Sequence, residues 1–206
     1  MRRKVTIILM FISMALCLAL MSNTYSRYVA DTRGDIDMLF ARWQILVNET
    51  DITSNANSTI SIVPVIEEQE HVASGRIAPS SRGYFDIDVD PRNVDVSFRY
   101  SINLAMEDAD ITDLNITQFI INPNEPDATP VEVEDMIISN TLIFDKANSA
   151  FEFEQFTIRI FFEWYSGEDR TMTDEETTEI GRRAAEEDTS IRITANISFE
   201  QVFSSN

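Results

Sequence analysis

Val94-Asp95-Val96-Ser97-Phe98-Arg99-Tyr100-Ser101-Ile102-Asn103-Leu104 is the stretch that decides the fold. Every even position is apolar and every odd position is polar, without exception over eleven residues. A helix would return apolar side chains every three or four positions, whereas a period of two puts them all on one face of a strand. The stretch therefore reads as an antiparallel strand with one face on a core and the other in water. Just upstream, Phe85, Ile87 and Val89 alternate with Asp86, Asp88 and Asp90, and Pro91-Arg92-Asn93 has turn composition. Together they predict a β-hairpin.

The same pattern recurs outward from this point. Ile191, Ile193, Ala195, Ile197, Phe199 and Gln201 alternate with Arg192, Thr194, Asn196, Ser198 and Glu200 near the C-terminus. Phe151 and Phe153 start a run whose phase flips, since Phe156, Ile158, Ile160, Phe162 and Trp164 fall on even numbers. A one-residue flip predicts a bulge near Glu154-Gln155. Weaker strand patterns cover Ile36–Val47, Thr59–Ile66, Leu114–Ile121 and Met136–Phe144, and 122–130 with its three prolines reads as a loop. About eight alternating strands joined by polar turns predict an all-β, two-sheet antiparallel sandwich. One segment departs from this. Thr173-Asp174-Glu175-Glu176 places a capping residue and early acids ahead of Thr177–Glu187, which predicts a short helix before the last strand.

The 206 residues carry 16 basic and 35 acidic side chains, a net charge of −19. Such a chain repels phosphate backbones, which argues against nucleic acid as a partner. Its 44% hydrophobic content suffices for a core and separates it from a disordered acidic tail. One His and one Cys leave no material for a Cys/His metal cluster, and any Ser/His/Asp triad would have to use His71.

Arg2, Arg3 and Lys4 precede a 17-residue apolar run from Val5 to Met21, broken only by Thr6 and Ser13. That is the layout of a secretory signal peptide, here assigned to 1–26, with the sandwich domain over 27–206. The alternative is an uncleaved anchor, for which the run is at the short limit. Cys17 lies inside the run behind Leu16, which is too large for a lipidation site. Cleavage removes three basic residues and the cysteine, leaving a net charge of −22 and no disulfide chemistry.

Three blocks carry a family resemblance. Thr24-Tyr25-Ser26-Arg27-Tyr28, followed by Ala41-Arg42-Trp43-Gln44-Ile45-Leu46-Val47-Asn48, resembles the start of Firmicutes secreted proteins with a specialised signal peptide. Ile77-Ala78-Pro79-Ser80-Ser81-Arg82-Gly83-Tyr84-Phe85-Asp86-Ile87 is similar to their I-A-P-G-S-x-G-x-F-x-I segment, and Ile191–Gln201 to their last strand. The family includes the TasA-type matrix fibre protein and camelysin. Ser80 replaces the family's usual Gly, and Tyr25-Ser26 a common Tyr-Ala. The resemblance implies a jelly-roll sandwich, secretion, a signal peptidase during export, and extracellular fibres assembled by strand donation, with itself or related matrix proteins. Membrane contact is then confined to the signal segment. No H-E-x-x-H occurs, so the proteolysis described for camelysin is not carried over.

Arg27, Tyr28 and Val29, within 27–36, are the natural donor segment; the alternative is that they form the first strand of their own subunit. Asp86, Asp88 and Asp90 share one strand face and offer oxygen ligands to Ca²⁺. The simpler reading of that face is solvated carboxylates, as for the acidic stretches at 107–110 and 186–188. Glu152, Glu154 and Glu163 could be paired as glycosidase carboxylates, but no aromatic sugar platform accompanies them in the sequence. Trp43 and Trp164, on alternating runs, read as core anchors. Asn48, Asn57, Asn115 and Asn196 each begin an N-x-[ST] sequon. The expectation is a non-enzymatic secreted structural protein of the cell surface or biofilm matrix, without cofactor. The competing class is an adhesin-like or carbohydrate-binding module.

Overall fold

The computed structural model describes residues 2–25, 39–54, 60–106, 111–186 and 191–202. The chain divides into two compact units, Met1–Phe40 and Ala41–Asn206. The first contains helix α1, Arg2–Tyr25, with Cys17 exposed on it. Among the described residues no helix is long and apolar enough to cross a membrane.

The second unit holds strands β1 (Trp43–Val47), β2 (Thr50–Asp51), β3 (Val65–Ile66), β4 (Arg82–Val94), β5 (Phe98–Met106), β6 (Leu114–Ile121), β7 (Val131–Glu132), β8 (Ile137–Leu142) and β9 (Phe156–Trp164). Helix α2 (Asp174–Glu186) and strand β10 (Ile193–Gln201) complete it. The larger sheet runs β2-β1-β4-β9-β6-β7, with β3 also paired to β4; the smaller runs β10-β5-β8. All pairings are antiparallel. The two-sheet all-β sandwich with a short helix before the last strand is the architecture the alternation required.

The core lies between the sheets. Phe98, Tyr100, Ile102 and Leu104 are buried and Arg99 and Asn103 exposed, so β5 keeps the even-inward register. They face Phe85, Ile87 and Val89 of β4 and Ile158, Ile160 and Phe162 of β9. Trp164 is buried, and Trp43 meets Phe98 edge-on at 6.2 Å.

The predicted hairpin is corrected. β4 does not turn at Pro91 but continues to Val94, and β5 belongs to the opposite sheet. Leu46 pairs with Asp90 and Gln44 with Asn93, so Pro91 and Arg92 together oppose Ile45 alone. This is a bulge, one of the few places where a strand tolerates Pro. It also flips the phase, moving the inward positions from odd Pro91 to even Val94. The predicted bulge at Glu154-Gln155 is likewise corrected: β9 begins only at Phe156, and Phe153 is buried from an irregular approach. In Ile36–Val47 the described strand is Trp43–Val47 alone, and in Thr59–Ile66 only Val65–Ile66 pairs.

Gly83 permits one close approach. A Cβ there would meet the Phe162 ring and the Val65 carbonyl oxygen, each at 2.5 Å. Gly83→Ala is expected to push β3 off β4 and to lower stability by about 1–3 kcal/mol in denaturant titrations. An unchanged midpoint would show that β3 yields without cost.

Candidate functional site

The smaller sheet ends in β10, which pairs with β5 through nine consecutive residues without a register shift. The Val202 N–H donates to Ser97 O at 2.9 Å. Counting back along an antiparallel ladder, the even residues of β10 aim their main-chain groups at β5. Ile193, Ala195, Ile197, Phe199 and Gln201 therefore aim theirs at the outer edge, where no strand pairs among the described residues. Edges are ordinarily blunted by shortness, charge, proline or bulges. The larger sheet's terminal strands, β2 and β7, have only two residues each. β10 has nine, contains no Pro or Gly, and carries a single charge, Glu200.

Arg27, Tyr28 and Val29 lie outside the described residues, as do Asn57 and the 107–110 stretch. The chain is described again from Leu39, and Leu39 and Phe40 are 98% and 96% exposed. Two adjacent large apolar side chains thus stand bare just before β1.

Asp86, Asp88 and Asp90 do share the outer face of β4, but each carboxylate has a separate partner. Arg159 of β9 donates through Nε and Nη2 to Asp86, both at 2.9 Å, and lies 3.9 Å over the Tyr84 ring. Thr157 Oγ1 donates to Asp88 Oδ1 at 2.6 Å. Arg92 pairs with Asp90 and holds its carboxyl below the usual carboxylate range. Asp86 and Asp90 are thus ion-paired, and Asp88, which is exposed, is hydrogen-bonded to a hydroxyl. Among the described residues no group of three or more His, Cys, Asp or Glu side chains is placed to hold a metal ion. Glu163 meets Arg82 at 3.0 Å, while Glu152 and Glu154 are exposed and His71 lies in an exposed turn.

Two asparagines give the larger sheet an extra rung that sequence reasoning missed. Asn48 and Asn122 follow β1 and β6 with φ of 45° and 50°. In this left-handed region, where Asn is favoured among non-glycine residues, each side chain turns back to its neighbour strand. Asn48 Oδ1 accepts from the Asp88 N–H at 2.8 Å, and Asn122 Oδ1 from the Thr157 N–H at 3.0 Å. Asp88 and Thr157 are themselves cross-strand partners, so Asn48, Asp88, Thr157 and Asn122 cross four strands in one row. The signal for both is an Asn closing an apolar run.

A second missed residue, Asp113, is 4% exposed between β5 and β6. Its carboxylate accepts from Thr171 N–H at 2.8 Å, Thr171 Oγ1 at 2.7 Å and Met172 N–H at 2.8 Å. It thereby anchors the segment that enters α2. The helix then starts with the predicted capping box: the Thr173 N–H donates to Glu176 Oε2 at 2.8 Å, and the Glu176 N–H donates to Thr173 Oγ1 at 3.3 Å.

No protein-family model matches this chain, and no curated protein matches it.

Proposed function

We propose that this chain is a secreted structural protein of the cell surface or extracellular matrix whose subunits join by strand addition at β10. Residues 1–26 serve as the export signal in this reading, and the segment around Arg27, Tyr28 and Val29 is the donor. The nine-residue edge of β10, on which no strand pairs among the described residues, carries the proposal, because a strand from another copy would satisfy its outward N–H and C=O groups. The exposed Leu39-Phe40 pair gives the donor end apolar surface to bury. A carbohydrate-binding role has one observation in its favour, the half-exposed Tyr84 and Phe161 rings, 6.1 Å apart on the outer face. Arg159 already occupies the Tyr84 face on which a sugar would stack, so strand addition is the better-supported reading.

The test is polymer growth of purified 27–206, followed by light scattering. A net charge of −22 opposes association at low ionic strength, so growth should accelerate as salt shortens the Debye length to about 8 Å or as pH falls. Ala195→Pro removes an edge-facing N–H and leaves the β5 ladder intact. Ser198→Lys places a charge beside the same edge. Both variants should stop growth with an unchanged melting curve, and deletion of 27–35 should do the same. Fibres of wild-type rate from the edge variants would defeat the proposal. Unfolding of the deletion variant would assign 27–35 to its own subunit as a strand.

A further inference from the structure

Side chains do not fill one end of this sandwich. A cavity of about 530 Å³ lies in the second unit, beside α2. Its floor is core: Phe85, Leu114, Phe162 and Trp164, all buried. One wall is Ile193 and Ala195 of β10, which stay half-exposed although the cross-strand partner of Ala195, Leu104, is buried. The opposite wall is a face of α2, where Ile180 and Ala184 stand four residues apart. α2 buries none of its residues fully, so the helix flanks the apolar floor without plugging it.

Protein interiors pack about as tightly as organic crystals, and voids larger than a water molecule are few. An apolar gap costs stability, and a chain ordinarily relaxes into it. Here the frame resists relaxation. Asp113 holds Thr171 and Met172, the Thr173–Glu176 box fixes the first turn of α2, and nine ladder pairs tie β10 to β5. Water is a poor filler, because a buried water needs two to four polar partners. Among the described residues no hydroxyl, amide or carboxylate side chain lines the cavity. Of its three arginines, Arg183 and Arg192 have interactions of their own, and Arg76 is exposed. The surface left to a ligand is hydrocarbon.

We infer that this cavity binds one uncharged, largely hydrocarbon molecule, seated on Phe85, Phe162 and Trp164 and entering beside the exposed Ala184. A methylene fills roughly the volume of a water molecule, about 30 Å³, so up to roughly fifteen carbons fit and a two-chain lipid does not. A carboxylate is disfavoured by the field of a chain at −19, and an ammonium finds no acid in the lining. The inference rests on no part of the strand-addition reading.

The test uses the full chain carrying Trp43→Phe, which leaves Trp164 as its one tryptophan. Bromine quenches an indole on contact, so 12-bromododecanol is titrated below its solubility limit while Trp164 emission is followed. Saturable quenching is expected, with a melting temperature that rises with the alcohol concentration. The matching acid, 12-bromododecanoate at pH 8, should bind at least about tenfold more weakly. Ala195→Phe from the strand wall and Ala184→Phe from the helix each place a ring in the space and should abolish the saturable phase. Ser198→Lys, outside the cavity lining, should keep it even where polymer growth stops. Three results overturn the inference: quenching that never saturates, saturable quenching that survives both phenylalanine variants, or acid binding as tight as that of the alcohol.

Discussion

Phe98→Ala is expected to lower the unfolding free energy by about 3–5 kcal/mol, seen as an earlier denaturation midpoint at unchanged m-value. The ring is fully buried and joins parts of the fold that are remote in sequence. It meets Trp43 of β1 at 6.2 Å, Phe153 at 5.1 Å and Phe199 of β10 at 6.1 Å. Those contacts tie the larger sheet, the irregular approach to β9 and the smaller sheet's edge to one side chain. The cavity left behind cannot close without moving all three. For a domain stable by about 5–15 kcal/mol this is a large share, and a loss below about 1 kcal/mol would show that another group holds the joint.

Asp113→Ala is expected to cost roughly 1–3 kcal/mol, because it leaves the Thr171 and Met172 backbone N–H groups without their acceptor. Hydrogen exchange should rise first in 165–186 and only later in β9. The same residue sets an acid limb. Burial alone pushes its carboxyl up, but the hydrogen bonds from Thr171 and Met172 outweigh that, and the net shift is downward. A carboxyl that titrates lower in the folded chain than in the unfolded one stabilises fully above the unfolded value, near 3.9. That stability is lost as pH falls through the folded value. Asp51, held at about 2 by Gln44 and Thr53, adds to the limb with the same sign. Stability measured across about pH 2–5 should therefore fall more steeply in wild type than in Asp113→Ala. Equal slopes would remove Asp113 from the acid response.

The strand faces were legible wherever a run alternated undisturbed: β5, β9 and β10 present the faces their apolar positions require, whereas β6 shifts register between Ile116 and Gln118. The errors fall where one residue has two structural meanings. Pro91-Arg92-Asn93 has the composition of a turn, yet a proline is equally at home in a bulge, and only the register with β1 separates the two. Phe151 and Phe153 alternate like a strand but pack from an unpaired segment, since apolar burial needs no ladder. Of the candidate sites, the shared face of Asp86, Asp88 and Asp90 could be read from spacing. Its partners Arg159 and Thr157 could not, because they arrive from a strand far along the chain. Asp113 was invisible for the same reason: one acid in an acidic chain does not announce that it is buried.

The pairing of β10 with β5 also sets the order in which this protein can be made. Ser198 Oγ reaches Ser101 O across 97 residues of sequence, and β4 finds β9 over a comparable span. Such long-range closure pays loop entropy before contacts reward it, and topologies of this kind fold in milliseconds to seconds rather than microseconds. A chain emerging from a ribosome or a translocation channel, N-terminus first, cannot cover β5 until its final strand has cleared the exit. Until then Phe98, Tyr100 and Ile102 lack the layer that Ile197 and Phe199 provide. Synthesis or transport that halts before residue 193 therefore leaves a half-built sheet, a substrate for chaperones and proteases rather than a shorter version of the same protein.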